Sequence, residues 1–176
     1  MTPQRQKEIE TLLKSRHSDV VLDTLDLIRK EGNSNLILPM VQLLNDTDSQ
    51  EVIESVLSIL RFVKTQDAVP KLVEAIADPD SFLNRSVLVA ACWESGLNFD
   101  AHLNFFVDLA LSENYLVCLE CITLIENTGN DIPEADLLAN WSKVKKHIQP
   151  SEDKKDELLV ALLAVLDEKR KLSLQN

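Results

Sequence analysis

A repeat of 32 to 34 residues constrains this chain more than any other feature. A period of that length marks helical hairpins, each unable to bury both faces alone, so neighbours must stack. The three glycines, Gly32, Gly96 and Gly129, stand 64 and 33 residues apart, which is two periods and one. Glycine is the usual residue just past a helix carboxyl end, where a left-handed backbone carries no side-chain penalty. The three are therefore expected at the ends of equivalent helices. The skipped position falls at Lys64, in Val63-Lys64-Thr65-Gln66-Asp67, which also reads as a helix end.

The apolar pattern follows the same register. Val20-Val21 and Leu25-Asp26-Leu27-Ile28-Arg29 align at offset 32 with Val52-Ile53 and Leu57-Ser58-Ile59-Leu60-Arg61. Leu43-Leu44-Asn45-Asp46-Thr47-Asp48-Ser49 aligns at that offset with Ala75-Ile76-Ala77-Asp78-Pro79-Asp80-Ser81, and a third copy, 106–114, follows at offset 34. Each copy has an apolar helix, an Asp/Ser-rich turn and a second apolar helix. Asp and Ser accept hydrogen bonds from the free N–H groups that open a helix, so Asp48-Ser49 and Asp80-Ser81 are expected caps. Ser151 after Pro150, with Glu152 and Asp153, is expected to open the last helix in the same way.

The spacing predicts helices over 3–15, 18–31, 34–45, 49–63, 67–77, 81–95, 100–112, 114–128, 133–147 and 152–172. They pair into five antiparallel hairpins, about 3–31, 34–63, 67–95, 100–128 and 133–172, in one domain over 1–176. Leu158, Leu159, Leu162, Leu163, Val165 and Leu166 give the last helix a broad apolar stripe.

Leu38-Pro39-Met40-Val41-Gln42-Leu43-Leu44-Asn45-Asp46-Thr47-Asp48 resembles the first helix and turn of the HEAT repeat, with its proline inside the helix. Val69-Pro70-Lys71-Leu72-Val73-Glu74-Ala75-Ile76-Ala77-Asp78-Pro79-Asp80 resembles it again. Arg85 and Ala90-Ala91 resemble the basic and small residues of the family's second helix. The likeness is clear over 34–96, weaker over 100–130 and only topological at the ends. Ile53 stands where the basic residue is expected, and the third copy has no proline in its first helix. The resemblance implies an all-α, right-handed α-solenoid of about ten helices. It also implies a scaffold or adaptor role, although the family includes bilin lyases and DNA glycosylases.

Charge narrows the partners. The net charge is −11, and its excess lies in the middle of the chain. Residues 1–32 carry six charges of each sign and residues 133–176 eight of each, whereas 33–132 carry four positive against fifteen negative. Such a field repels phosphate backbones, whose binding depends on Lys and Arg, and attracts basic partners. Nucleic acid is thus disfavoured. No apolar run approaches the roughly 18 residues of a membrane helix. The N-terminus has no apolar signal-peptide core. The odd set Cys92, Cys118 and Cys121 suggests no disulfide framework, so a reducing, cytoplasmic location is expected.

No catalytic constellation emerges. Cys118-Leu119-Glu120-Cys121 lies mid-helix rather than at the helix start a redox motif wants, and it offers two metal ligands where structural zinc needs four. These cysteines read as core. His17, His102 and His147 sit in three distant hairpins. With three glycines, all at helix ends, no phosphate-binding loop can form. No cofactor or metal is expected. Lys143, Lys145, Lys146 and His147, with Lys154, Lys155 and Trp141, could stack nucleic acid. Interleaved Glu152, Asp153, Asp156 and Glu157 make a salt-bridged hairpin end the better reading.

The second helices are the expected working surface, since in stacked hairpins they line the concave face. At offsets 32 and 34, Glu54, Ser86 and Glu120 share one column, and Arg29, Arg61, Trp93 and Asn127 another. Glu51, Glu54, Arg61, Trp93, Glu94, Glu120 and Glu126 are the expected contacts for a basic or amphipathic protein segment, with Trp93 as apolar anchor. The expected function is a non-catalytic scaffold or adaptor. The alternatives are an enzyme of the bilin-lyase or glycosylase kind, and a structural subunit of an oligomer. A glycosylase needs a basic groove, and a handler of an anionic prosthetic group needs converging arginines. Of the latter, only Arg61 and Arg85 lie in the middle.

Overall fold

Apolar residues recurring at every third or fourth position become ten α-helices, with no strand among the described residues. The computed structural model describes residues 1–129, 131–148 and 154–173. The helices are α1 (Pro3–Leu13), α2 (Ser18–Glu31), α3 (Ile37–Asp46), α4 (Gln50–Arg61), α5 (Val69–Ala77), α6 (Arg85–Ser95), α7 (Leu103–Ser112), α8 (Tyr115–Glu126), α9 (Glu134–His147) and α10 (Lys154–Ser173). All ten predicted helices are present. The main difference lies at their starts. Ser34–Leu36, Gln66–Ala68, Pro79–Asn84 and Asp100–His102 are 3-10 turns that lead into α3, α5, α6 and α7. Pro39 and Pro70 consequently fall in the first turn of their α-helices, where a missing N–H leaves no intrahelical bond unmade.

The chain divides into two compact units, Met1–Leu97 and Asn98–Asn176. In the first, hairpins α1/α2, α3/α4 and α5/α6 stack so that α1, α3 and α5 form one layer and α2, α4 and α6 the other. Leu25, Ile28, Leu36, Met40, Val56, Leu60, Leu72, Ile76 and Leu88 fill the space between them. In the second unit, α7 packs beside α9 and α8 beside α10. Its core holds Phe106, Val107, Cys121, Ile125, Val144, Leu162 and Leu166, with Phe99 edge-on to Phe106 at 5.7 Å between ring centres. The all-α, stacked-hairpin architecture is thus built within each unit by the same device.

Polar side chains fix the stacking register in the first unit. The Ser34 hydroxyl donates to Asp67 Oδ2 at 2.7 Å, joining equivalent turns of successive hairpins. Asn45 Nδ2 donates to the buried Ser81 Oγ at 3.1 Å, and Asn84 Nδ2 donates to Asn45 Oδ1 at 3.0 Å. The buried Arg85 donates from Nε to Ile76 O at 2.9 Å and from Nη2 to Asp78 O at 3.2 Å. These are carbonyls at the carboxyl end of α5, which have no partner inside the helix.

Two local expectations are corrected. Asp80 and Ser81 do not cap a helix: both lie within the turn Pro79–Asn84, and Asp78 Oδ1 accepts from Asp80 N–H instead. Pro79 explains this, because it makes Asp78 the last extended residue and so the cap position. Ser49 sits at the N-cap of α4, but its side chain makes no capping bond. Ser151, Glu152 and Asp153 lie outside the described residues. Gly32 and Gly96 end α2 and α6 with φ of 55° and 70°, as their spacing predicts. Gly129 follows α8 without a positive φ. Its need is proximity: a Cβ there would stand 2.7 Å from Asp100 Oδ2, while its N–H donates to Asp100 Oδ1 at 2.8 Å.

Arg85→Ala is expected to lower unfolding free energy by about 2–3 kcal/mol, because it strands two carbonyls, one bonded at a buried site. Arg85→Lys should restore only part of this, lacking the planar fork. Denaturant titration of both variants checks it. Gly129→Ala should cost about 1–3 kcal/mol by overpacking and close to nothing in an Asp100→Ala background. Equal cost in both backgrounds would point to backbone strain at Gly129 instead.

Candidate interaction surface

On α4, Val52, Val56, Leu57, Ile59 and Leu60 face the core, which turns Glu51 and Glu54 outward. Both are exposed, and Gln50 Nε2 donates to Glu54 Oε1 at 2.9 Å. At the far end of the helix Arg61 forms an ion pair with Glu94 of α6, Nε to Oε2, at 2.5 Å. Two of the expected contact residues therefore engage each other. Trp93, the expected anchor, is partly buried on α6. In the second unit Glu120 is partly exposed and Glu126 exposed, six residues apart on α8.

The fate of the cations decides the electrostatics of the first unit. Residues 33–97 hold four, Arg61, Lys64, Lys71 and Arg85, against nine carboxylates. Arg61 meets Glu94, and Lys71 meets Glu74 at 3.0 Å. Lys64 Nζ donates to Ser95 O at 2.7 Å, at the carboxyl end of α6, and Arg85 holds the end of α5. Every cation of this stretch is drawn into an internal contact. The Asp67 carboxyl is held below the ordinary carboxylate range, first by the Ser34 hydroxyl and then by Thr65.

The second unit uses cations alike. Lys155 Nζ donates to Leu111 O at 2.7 Å near the end of α7. Lys169 Nζ donates to Thr128 O at 2.8 Å just past α8. Burial pulls the Lys169 pKa down, while Asp100, Glu168 and Glu126 oppose that shift. Lys143 Nζ reaches Asn104 Oδ1 and Asp108 Oδ1, each at 2.6 Å. Trp141 lies under Lys145, 4.6 Å from the ring centre, and Arg170, 5.6 Å away. Lys143 and Lys155 of the basic cluster around Trp141 are thus engaged within their own unit, while Lys145, Lys146, His147 and Lys154 are exposed.

Cys92, Cys118 and Cys121 are all buried, as their core reading expects. Burial raises the Cys92 thiol and pushes Cys118 up to about 11, which leaves neither as a thiolate at neutral pH. Among the described residues no three His, Cys, Asp or Glu side chains converge as metal ligands, and no helix is long and apolar enough to cross a membrane.

Two features escape sequence reasoning. A groove of about 810 Å³ in the first unit runs past the carboxyl ends of α2 and α4, floored by Ile28, Ile37, Met40 and Ile59. Phe62 stands on its rim, 74% exposed. The other is the outward face of α8, where Leu116 and Leu119 are exposed. The sequence of α8 reads as apolar, and a heavily apolar helix gives periodicity little polar side from which to tell its outward face.

No protein-family model matches this chain, and no curated protein matches it. Among solved structures it is similar to a designed armadillo repeat protein, with 18% identity and a TM-score of 0.46, over 93% of this chain and 85% of that chain. At that score the fold rests on the chain's own helices and their packing within each unit.

Proposed function

We propose that this chain is a non-catalytic protein-interaction module of HEAT-like hairpins whose acidic surfaces take a basic or amphipathic protein segment. One observation carries the reading. All four cations of residues 33–97 are held in internal contacts, whereas Glu51 and Glu54 face solvent. Residues 98–132 contain six carboxylates and no Lys or Arg at all. A local excess of carboxylates on a helical surface steers oppositely charged partners and repels phosphate. Glu51, Glu54, Glu120 and Glu126 supply the attraction, Trp93 apolar contact, and the Arg61–Glu94 pair a fixed edge. A reducing compartment such as the cytoplasm suits three buried free thiols.

The test is a fluorescently labelled Lys-rich peptide, titrated by anisotropy at roughly 50 and 300 mM salt, between which the screening length falls about twofold. Binding should weaken at least fivefold at the higher salt. Glu54→Lys and Glu120→Lys should each weaken it about threefold to tenfold at low salt, with Glu134→Lys, a reversal at an exposed site on α9, changing it little. Equal losses in all three variants would reduce the attraction to net charge and sink the reading.

A further inference from the structure

The last hairpin leaves one side of both its helices uncovered. α9 packs beside α7 and α10 beside α8, burying Leu137 and Val144 on one and Leu159, Leu162 and Leu166 on the other. At 100° per residue, the opposite sides carry Ala135, Leu138 and Ala139 on α9 and Val160, Ala161 and Ala164 on α10. All six are exposed, Leu138 by 44% and Val160 by 54%. The corresponding sides of α3 and α4 are covered by α5 and α6. An exposed apolar face that spans two packed helices marks a contact surface.

Charge selects what covers it. Residues 33–132 are strongly acidic, whereas residues 133–176 carry eight charges of each sign. Beside the apolar face those signs are sorted along each helix. α9 has Glu134 at its start and Lys145 near its end, and α10 has Lys154 at its start and Glu168 near its end. All four are exposed. Spacings of 11 and 14 residues bring the members of each pair to within about 40° of each other round the helix. Lys145 also lies over Trp141, and Glu168 acts on the buried Lys169, but both side chains reach solvent. A segment of one charge sign would meet like charge at one end of each helix. A second copy turned antiparallel meets opposite charge at both ends.

We infer that the outer face of α9 and α10 binds the same face of a second copy. The dimer is two-fold, with α9 laid antiparallel on α9 and α10 on α10. Glu134 then meets Lys145 of the second copy, Lys154 meets its Glu168, and the symmetry makes each contact twice. The first pairing puts the axis between residues 139 and 140, the second at residue 161. Each point lies about seven residues, roughly 11 Å, from His147 or Lys154, where α9 ends and α10 begins, so one axis serves both helices. It passes beside Ala139 and Ala161, whose small side chains let helices of two copies approach closely. The acidic middle of the chain repels its own copy, which leaves the charge-balanced hairpin as the place of contact.

Sedimentation velocity on the full chain tests it. The chain should dimerise reversibly within a range of about 1–100 μM. Ala139→Glu/Ala161→Glu, at two exposed sites beside the axis, should weaken dimerisation about tenfold or more with helicity unchanged. Glu134→Lys and Lys145→Glu each set like charges against each other and should each weaken it about threefold or more. An equimolar mixture of those two variants should regain it, because in the mixed dimer both contacts again join opposite charges. Misfolding of a variant cannot produce that recovery. A chain that stays monomeric throughout the range overturns the inference. So does a dimer untouched by Ala139→Glu/Ala161→Glu, or a mixture that associates no better than its components. The lysine-peptide titration reads other surfaces, so the interaction module and the dimer can fail separately.

Discussion

The carboxyl ends of helices leave carbonyl groups that the helix itself cannot satisfy, and in this chain cationic side chains from neighbouring elements satisfy several of them. Lys64 reaches Ser95 O, Arg85 reaches Ile76 O and Asp78 O, Lys155 reaches Leu111 O, and Lys169 reaches Thr128 O. Each contact is charge-assisted and sits at the negative end of a helix dipole, so each is stronger than a neutral hydrogen bond. Each also joins residues far enough apart in sequence to tie one element to another. A stack of hairpins held mainly by non-directional apolar burial could slide. These directional contacts, with Ser34–Asp67 and Asn45–Ser81, fix how the helices they join sit on one another within each unit.

That structural use of cations shapes the surface. Lysines and arginines spent on helix ends or on Glu94 and Glu74 cannot balance the carboxylates that face solvent. The acidity of residues 33–132 is therefore a consequence of how the hairpins are fastened as well as of composition. The same economy leaves residues 98–132 with no cation of their own, so Lys155 and Lys169 of α10 serve the ends of α7 and α8.

Much of this was legible in the sequence, for reasons that particular residues make plain. Helix positions followed from apolar spacing, and Gly32 and Gly96 marked helix ends because those ends need positive φ. Gly129 shared their spacing but not their cause, since a close approach by Asp100 leaves no trace in local sequence. Asp80-Ser81 looked like a cap because Asp and Ser suit any helix start, and only the 3-10 turn opened by Pro79 moves that role to Asp78. Register alignment placed Arg61 in the column of Trp93, but its partner is the adjacent Glu94, a distinction finer than a repeat offset resolves. The outward leucines of α8 were hidden because its periodicity has little polar side by which to orient it.

Amine reactivity tests the central account most directly. Under brief acetylation of the native protein, read site by site by mass spectrometry, Lys155 and Lys169 should react markedly more slowly than the exposed Lys7, Lys30 and Lys146. Denaturation should erase the difference. If Lys155 and Lys169 react as fast in the native protein as Lys7 does, the helix ends are not held by these cations, and the explanation of both the stacking register and the acidic surface fails.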